Sequence, residues 1–232
     1  MRIKQKKIVW TVFFAVLGAA VLVLGYLLIK DIIILNRAET TDEIMTLKGD
    51  IPALKEINPD VIGWITVDGT NIDFPLLQGE TNMKYVSRDI YGENCLSGSI
   101  FLDSTSALDD PFLLIYGHHM EAGKMFGDIE KFLDESFFKS HRRGELVTED
   151  GILSIDFFAF IVTETGDDII FRPQGRMADE VIEHVENDAL YVRDVSVSAG
   201  DQIVALSTCG QEFDNQRYVL IGKILKGELN EK

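Results

Sequence analysis

A cysteine near the C-terminus of this 232-residue chain lies where an apolar run ends, and an arginine opens the next apolar run. Residues 204–206 are typical of a buried β-strand, and Cys209 follows them closely. Arg217 returns beside Cys209 if the two apolar runs pair as a hairpin. A cation next to a cysteine stabilises the thiolate and can stabilise an oxyanion during acyl transfer. The pattern indicates a nucleophile with a cationic partner, although a buried structural cysteine has the same sequence pattern.

A histidine occupies a similar position upstream, where His118 follows the apolar run 112–116 and a glycine. Cysteine catalysis needs a group that protonates the leaving amine, and histidine titrates near neutral pH. Only a fold that aligns the two strand ends would bring His118 to Cys209. The adjacent His119 is a rival for the same role, and two histidines in tandem also suggest a metal. A metal site would need further ligands, and the sequence has no supporting Cys/His spacing.

Several linked segments together resemble the class B sortases, which are membrane-anchored cysteine transpeptidases of Gram-positive bacteria. In chain order they are 58–64 (NPDVIGW), 98–103 (GSIFLD), 116–120 (YGHHM, with 125–126 MF downstream), 206–209 (LSTC) and 217–223 (RYVLIGK). The first two segments are similar to class B members found in pilus clusters. The resemblance covers roughly residue 55 to the end of the chain.

The resemblance implies a ping-pong transpeptidation without cofactor or metal. Cys209 would attack a threonine carbonyl in the C-terminal sorting motif of a secreted pilin or surface protein, forming a thioester. An amine from a pilin lysine or a cell-wall cross-bridge would then resolve the thioester. His118 would protonate the leaving amine and deprotonate the incoming one. Arg217 would hold the substrate backbone and stabilise the oxyanion, while Ser207 and Thr208 would bind the substrate.

Two other functions remain compatible with these residues. A cysteine hydrolase would use the same three side chains, so only the use of an amine acceptor separates it from a transpeptidase. A membrane-tethered binding module would hold Cys209 as a core residue, and its activity would survive Cys209→Ala. In the loop after the cysteine, Glu212 and Asp214 could supply a third polar group or be solvated. Cys95 lies outside all the matching segments and is interpreted as incidental.

The composition limits the classes of partner. Hydrophobic residues make up 46% of the chain and charged residues 26%, which is typical of a globular protein. The first thirty residues hold five of the 22 basic residues and none of the 38 acidic ones, so the remainder is strongly acidic. Such a surface excludes nucleic acid and is compatible with basic peptide partners.

The N-terminus predicts a membrane anchor. Residues 8–29 carry no charge and are long enough to cross a bilayer as a helix, whereas a signal peptide has a shorter apolar region. Basic residues precede the span, so the N-terminus should be cytoplasmic and the bulk of the chain extracellular. We therefore predict a cytoplasmic tail at 1–7, a single transmembrane helix at 8–29, an extracellular helical stalk at 30–57 and a sortase catalytic domain at 58–232.

Short apolar runs with Gly and Asx turns after residue 61 predict a β-sandwich or barrel. The resemblance narrows this to a mainly β fold, the eight-stranded sortase β-barrel with N-terminal helices. Residues 177–190 are amphipathic and predict a helix between the strand ending near Phe171 and the strand beginning at Gln202. Class B sortases carry a helix there, between their sixth and seventh strands. His184 on this helix and His141 in a basic loop are interpreted as non-catalytic.

Overall fold

The computed structural model describes residues 2–37, 41–210 and 215–225, with side chains at 10–29, 41–208, 210 and 215–225. The chain divides into two compact units, Met1–Arg37 and Ala38–Lys232. The first unit is one helix, α1 (Arg2–Arg37). Within α1, Trp10–Ile29 is a run of 20 residues with a mean hydropathy of 2.7 and no buried residue, long and apolar enough to cross a membrane.

Two short helices, α2 (Asp42–Thr46) and α3 (Ile51–Ile57), open the second unit. The side chain of Asp50 caps α3 by accepting a hydrogen bond from the Ala53 amide at 3.0 Å. Both helices bury apolar residues, Ile44 and Leu54 among them, in a cluster that also contains Trp64 of the first strand. These N-terminal helices are therefore packed against the sheet.

Nine strands, in the part of the chain that the structure describes, form one sheet. They are β1 (Val61–Val67), β2 (Asp73–Leu77), β3 (Ile100–Leu102), β4 (Phe112–Tyr116), β5 (Arg143–Thr148), β6 (Gly151–Glu164), β7 (Tyr191–Val192), β8 (Gln202–Cys209) and β9 (Gln216–Leu225). Eight of them pair in the order β5-β1-β2-β3-β4-β8-β9-β6, and β6 pairs back onto β5. The predicted eight-stranded barrel is confirmed, and β7 only extends one edge of β6.

Between the strands, the described residues form three further α-helices: α4 (Glu135–Ser140), α5 (Asp168–Phe171) and α6 (Ala178–Asp188). Two 3-10 helices, Glu121–Gly123 and Gly127–Leu133, follow β4. The helix predicted at 177–190 is present as α6, between the sixth and seventh barrel strands in chain order. It is shorter than predicted, since Met177 is its N-cap and Ala189 its C-cap.

The central strands are buried on both faces. Along β4, Leu113 and Ile115 point into the barrel interior, whereas Phe112 and Leu114 join a second cluster with Val181 and other residues of α6. This is the alternation of a β-strand covered on each side, and it explains the uninterrupted apolar runs of the sequence. Strands β4 and β8, which end near the candidate residues, are thus held firmly in place.

Candidate active site

The parallel pairing of β4 and β8 brings two distant segments to one edge of the barrel. Leu114 pairs with Ala205 and Tyr116 with Ser207, and the Gly117 amide then donates a hydrogen bond to the Ser207 carbonyl at 3.1 Å. Because the strands run in the same direction, both carboxyl ends lie at this edge. His118 therefore follows β4 where Cys209 ends β8.

Gly117 is required by the close packing of this turn. A Cβ atom at this position would overlap Ile100 and would lie 2.6 Å from the ring of Phe126. Phe126 is fully buried, and its amide donates a hydrogen bond to the His118 carbonyl at 3.0 Å. Met125 and Phe126 thus anchor the chain after His118 in the barrel interior.

The hairpin of β8 and β9 brings the arginine back to the cysteine. Cys209 and Arg217 are directly opposite in the antiparallel register. The guanidinium of Arg217 is half-buried and donates through Nη1 to the Gln216 carbonyl at 2.8 Å. The predicted pairing of the two apolar runs is present, while Glu212 and Asp214 lie outside the described residues.

The charge of Arg217 also acts on Tyr116. Burial, with the charge and the hydrogen bond of Asp103, raises the pKa of Tyr116 above its ordinary value, and the cation of Arg217 acts in the opposite direction. The Tyr116 hydroxyl donates to Oδ2 of Asp103 at 3.1 Å. The position of Arg217 beside the end of β8 follows from the register of β8 and β9, in which it is opposite Cys209.

The two adjacent histidines have different partners. The Nε2 atom of His118 lies 2.7 Å from the Val86 carbonyl oxygen, in the loop between β2 and β3. The Nε2 atom of His119 lies 2.9 Å from the carboxylate of Glu130, on the second 3-10 helix. Each imidazole is therefore held by a separate part of the structure, and the two do not form a common site with each other.

Ser207 and Thr208 have buried hydroxyls at the end of β8. Each residue is 2% exposed, and neither hydroxyl has a hydrogen-bond partner among the described residues. A buried hydroxyl without a partner has lost its hydration and gained nothing in return.

Comparison with known proteins agrees with this geometry. A family model described as the sortase domain matches residues 65–225. Over 196 residues the chain is 33% identical to a sortase B of Listeria monocytogenes, covering 81% of this chain and 79% of that protein. The chain belongs to the class B sortases. It is accordingly a cysteine transpeptidase.

Solved structures of other class B sortases have the same fold. A Streptococcus pyogenes class B sortase involved in pilus biogenesis is 36% identical to this sortase, with a TM-score of 0.70 over 75% of this chain and 97% of that one. Clostridium perfringens sortase B is 33% identical, with a TM-score of 0.68 over 75% of this chain and 99% of that one.

The structure adds three residues to this sortase's candidate site that the sequence reasoning missed. Tyr116 begins the matching segment 116–120 and Asp103 ends the segment 98–103, and that position was their only signal. Asp103 is buried and accepts hydrogen bonds from Asn82 as well as from Tyr116. Val86 contributes its main-chain carbonyl, for which a sequence carries no signal.

The remaining candidates lie elsewhere in this sortase. Cys95 is a buried free cysteine with its sulfur 2.8 Å from the Ser97 hydroxyl. His184 lies between two carboxylates, with Nε2 2.8 Å from Asp167 and Nδ1 3.1 Å from Asp188. Among the described residues, no group of three or more His, Cys, Asp or Glu side chains could hold a metal ion.

Proposed function

We propose that Cys209, His118 and Arg217 catalyse the transpeptidation, with a thioester on Cys209 as intermediate. The observation that supports this most strongly is the register of β4, β8 and β9, which places the three residues at adjoining strand ends. The Cys209 thiolate attacks the threonine carbonyl of a sorting motif, and the C–N bond breaks as the C–S bond is completed. This divides one difficult acyl transfer into two easier steps.

His118 and Arg217 take complementary roles in this proposal. His118 protonates the leaving amine and later deprotonates the incoming one. Arg217 binds the substrate backbone and stabilises the charge that develops on the carbonyl oxygen. Ser207 and Thr208, which directly precede Cys209 on β8, are assigned to substrate binding in this proposal.

The proposed substrates are secreted proteins with a C-terminal sorting signal. The similarity to the Streptococcus pyogenes sortase involved in pilus biogenesis supports pilins as substrates and a pilin lysine as the acceptor. Transfer to a peptidoglycan cross-bridge in cell-wall anchoring is the second candidate. In either case, the net charge of −16 favours a positively charged amine partner.

We further propose that the first unit anchors the enzyme in the cell membrane. The apolar run of α1 supports a single-pass helix at 8–29. The basic residues at 1–7 favour a cytoplasmic N-terminus, with residues 30–57 and the catalytic domain at 58–232 outside the cell. Because α2 and α3 pack against the sheet, 42–57 belongs to the catalytic unit and not to a free stalk. This arrangement holds the enzyme at the face of the membrane where exported substrates emerge.

The test uses the full chain in detergent micelles with a panel of threonine-containing sorting peptides, with and without an amine acceptor. Mass spectrometry of the products should detect a thioester on Cys209 and an amine-ligated peptide. Cys209→Ala should abolish both, while Cys95→Ala, the matched control, should retain them. Cleavage without ligation at high amine concentration would favour the hydrolase, and turnover by Cys209→Ala would exclude the cysteine mechanism.

A further inference from the structure

We propose that the Val86 carbonyl fixes the tautomer of His118, so that Nδ1 is the atom that transfers protons, and that Gly98 keeps this carbonyl in place. The inference rests on the role of His118 proposed above. It assigns two positioning residues, Val86 and Gly98, that lie in the loop between β2 and β3 and at its end.

The hydrogen bond itself determines which nitrogen carries the proton. The Nε2 atom of His118 lies 2.7 Å from the Val86 oxygen. A carbonyl oxygen can only accept, so Nε2 must donate. A neutral imidazole has one N–H group, and its lone pair is then on Nδ1. Among the described residues, Nδ1 of His118 has no hydrogen-bond partner and is available for proton transfer.

The chain on both sides of Val86 is tied to other parts of the barrel. The Tyr85 carbonyl accepts a hydrogen bond from the Ser99 amide at 3.0 Å, and the Ser87 carbonyl accepts one from the Cys95 amide at 2.9 Å. The side chain of Tyr85 is buried, and its hydroxyl donates to Asp60 at 2.7 Å. The carbonyl that holds His118 is therefore fixed by its neighbours.

The position of the Val86 carbonyl leaves no room for a side chain at Gly98. Its φ angle is +59°, and a Cβ atom there would lie 2.6 Å from the carbonyl oxygens of both Tyr85 and Val86. A methyl group would therefore collide with the atom that accepts the hydrogen bond from His118. Gly92, in the same loop, has a φ angle of +77° and no atom within 4 Å of such a Cβ, so it reproduces the backbone strain without the collision.

This tautomer supports both half-reactions. In acylation, the Nε2 proton of the imidazolium stays on Nε2 and is donated in the hydrogen bond to the Val86 carbonyl. The Nδ1 proton passes to the leaving amine nitrogen, while the C–N bond breaks and the thioester remains. In deacylation, the neutral Nδ1 takes a proton from the incoming amine as the new C–N bond forms and the C–S bond breaks. The thiolate and the imidazolium are then restored.

Nitrogen-15 NMR of the full chain in micelles, with labelled histidine, tests the tautomer directly. The His118 signals are identified as those that His118→Gln removes. For the neutral ring we expect a protonated Nε2 and an unprotonated Nδ1. A neutral ring protonated on Nδ1, or an equal mixture of both forms, would overturn the proposal. The measurement needs no turnover, so its result stands apart from the fate of the proposed function.

Steady-state kinetics of Gly98→Ala and Gly92→Ala test the positioning. We expect kcat of Gly98→Ala to fall about tenfold to a hundredfold with KM within about twofold, the range found when partners that orient a metal-bound histidine are removed. The Nε2 tautomer should lose population in the same variant. Gly92→Ala should keep kcat within about twofold of the wild type.

Equal losses in the two variants, or an unchanged kcat in Gly98→Ala, would contradict a positioning role. If Gly98→Ala does not fold by circular dichroism, the NMR result on the wild type alone decides. If His118→Gln retains turnover, the proposed function fails, and the tautomer can still be measured.

Discussion

Removing the hydroxyl of Tyr116 should destabilise the strand end that carries His118. Asp103 is buried, and its carboxylate accepts four hydrogen bonds, one each from Tyr116 and Asn82 and two from the amide and hydroxyl of Thr105. Tyr116→Phe removes one donor and keeps the ring, which packs 5.3 Å from the ring of Phe101. The change should therefore isolate the hydrogen bond.

The expected loss follows from the charge of the acceptor. A hydrogen bond to a charged group contributes about 1.5–3 kcal/mol, and its loss leaves a buried carboxylate with fewer partners. For a chain of this size each kcal/mol lowers Tm by about 2–4 °C, so Tyr116→Phe should lower Tm by about 3–12 °C. Because the charge of Arg217 is retained, turnover well below Tm should fall far less than in Arg217→Ala.

Thermal unfolding of the full chain in micelles, followed by circular dichroism, measures the effect. Tyr91→Phe is the matched control, because Tyr91 is 44% exposed and its hydroxyl is 3.3 Å from that of Thr41. The control should change stability by no more than about 0.5 kcal/mol. An equal Tm shift in both variants, or none in Tyr116→Phe, would refute the assignment of Tyr116 and Asp103 to the support of the site.

Two other predictions concern stability. Ile44→Ala should lower the free energy of unfolding by about 2–5 kcal/mol, because it leaves a cavity between α2 and the barrel. Met45 is exposed, so Met45→Ala should leave stability unchanged, and denaturant titrations of both variants measure the difference. Burial raises the pKa of Asp60, but hydrogen bonds from Lys84 and Tyr85 outweigh it and lower the pKa below its ordinary value. The pKa of Asp156 is lowered in the same way by its hydrogen bond and ion pair with Arg142. These two carboxylates contribute fully to the free energy of unfolding above their unfolded-state pKa of about 3.9. The contribution is lost as the pH falls through their lower folded-state pKa. Between about pH 5 and 2, the free energy of unfolding should fall less steeply in Asp156→Asn than in the wild type. Identical pH profiles for the two proteins would contradict the role of Asp156.

The chemistry of the candidate residues was predictable because each lies at the boundary of an apolar run. A thiol, an imidazole and a guanidinium at Cys209, His118 and Arg217 indicate covalent acyl transfer from chemistry alone. Their meeting was predictable only in part. The β8–β9 hairpin is local, but the parallel pairing of β4 with β8 joins segments far apart in sequence, and only the resemblance to a known fold suggested it.

Other parts of the site could not be predicted, for identifiable physical reasons. Val86 acts through a carbonyl group that every residue has, so nothing in its side chain marks it.

The segment 30–57 mixes apolar and charged residues, a composition that suits a free helical stalk and a packed helix alike. The burial of Ile44 and Leu54 against Trp64 is a tertiary contact that this composition does not encode.

The helix between the sixth and seventh barrel strands contributes to the site by fixing the register of β8. Along this strand, Val204 and Leu206 face the barrel interior, while Ile203 and Ala205 face the cluster that α6 completes. A slip of one residue against β4 would exchange these two faces and place Leu206, in place of Ser207, beside Tyr116. Because both faces are covered by close-packed side chains, such a slip would disrupt two clusters at once. The position of Cys209 at the strand end is therefore supported by both clusters, and α6 contributes to the outer one.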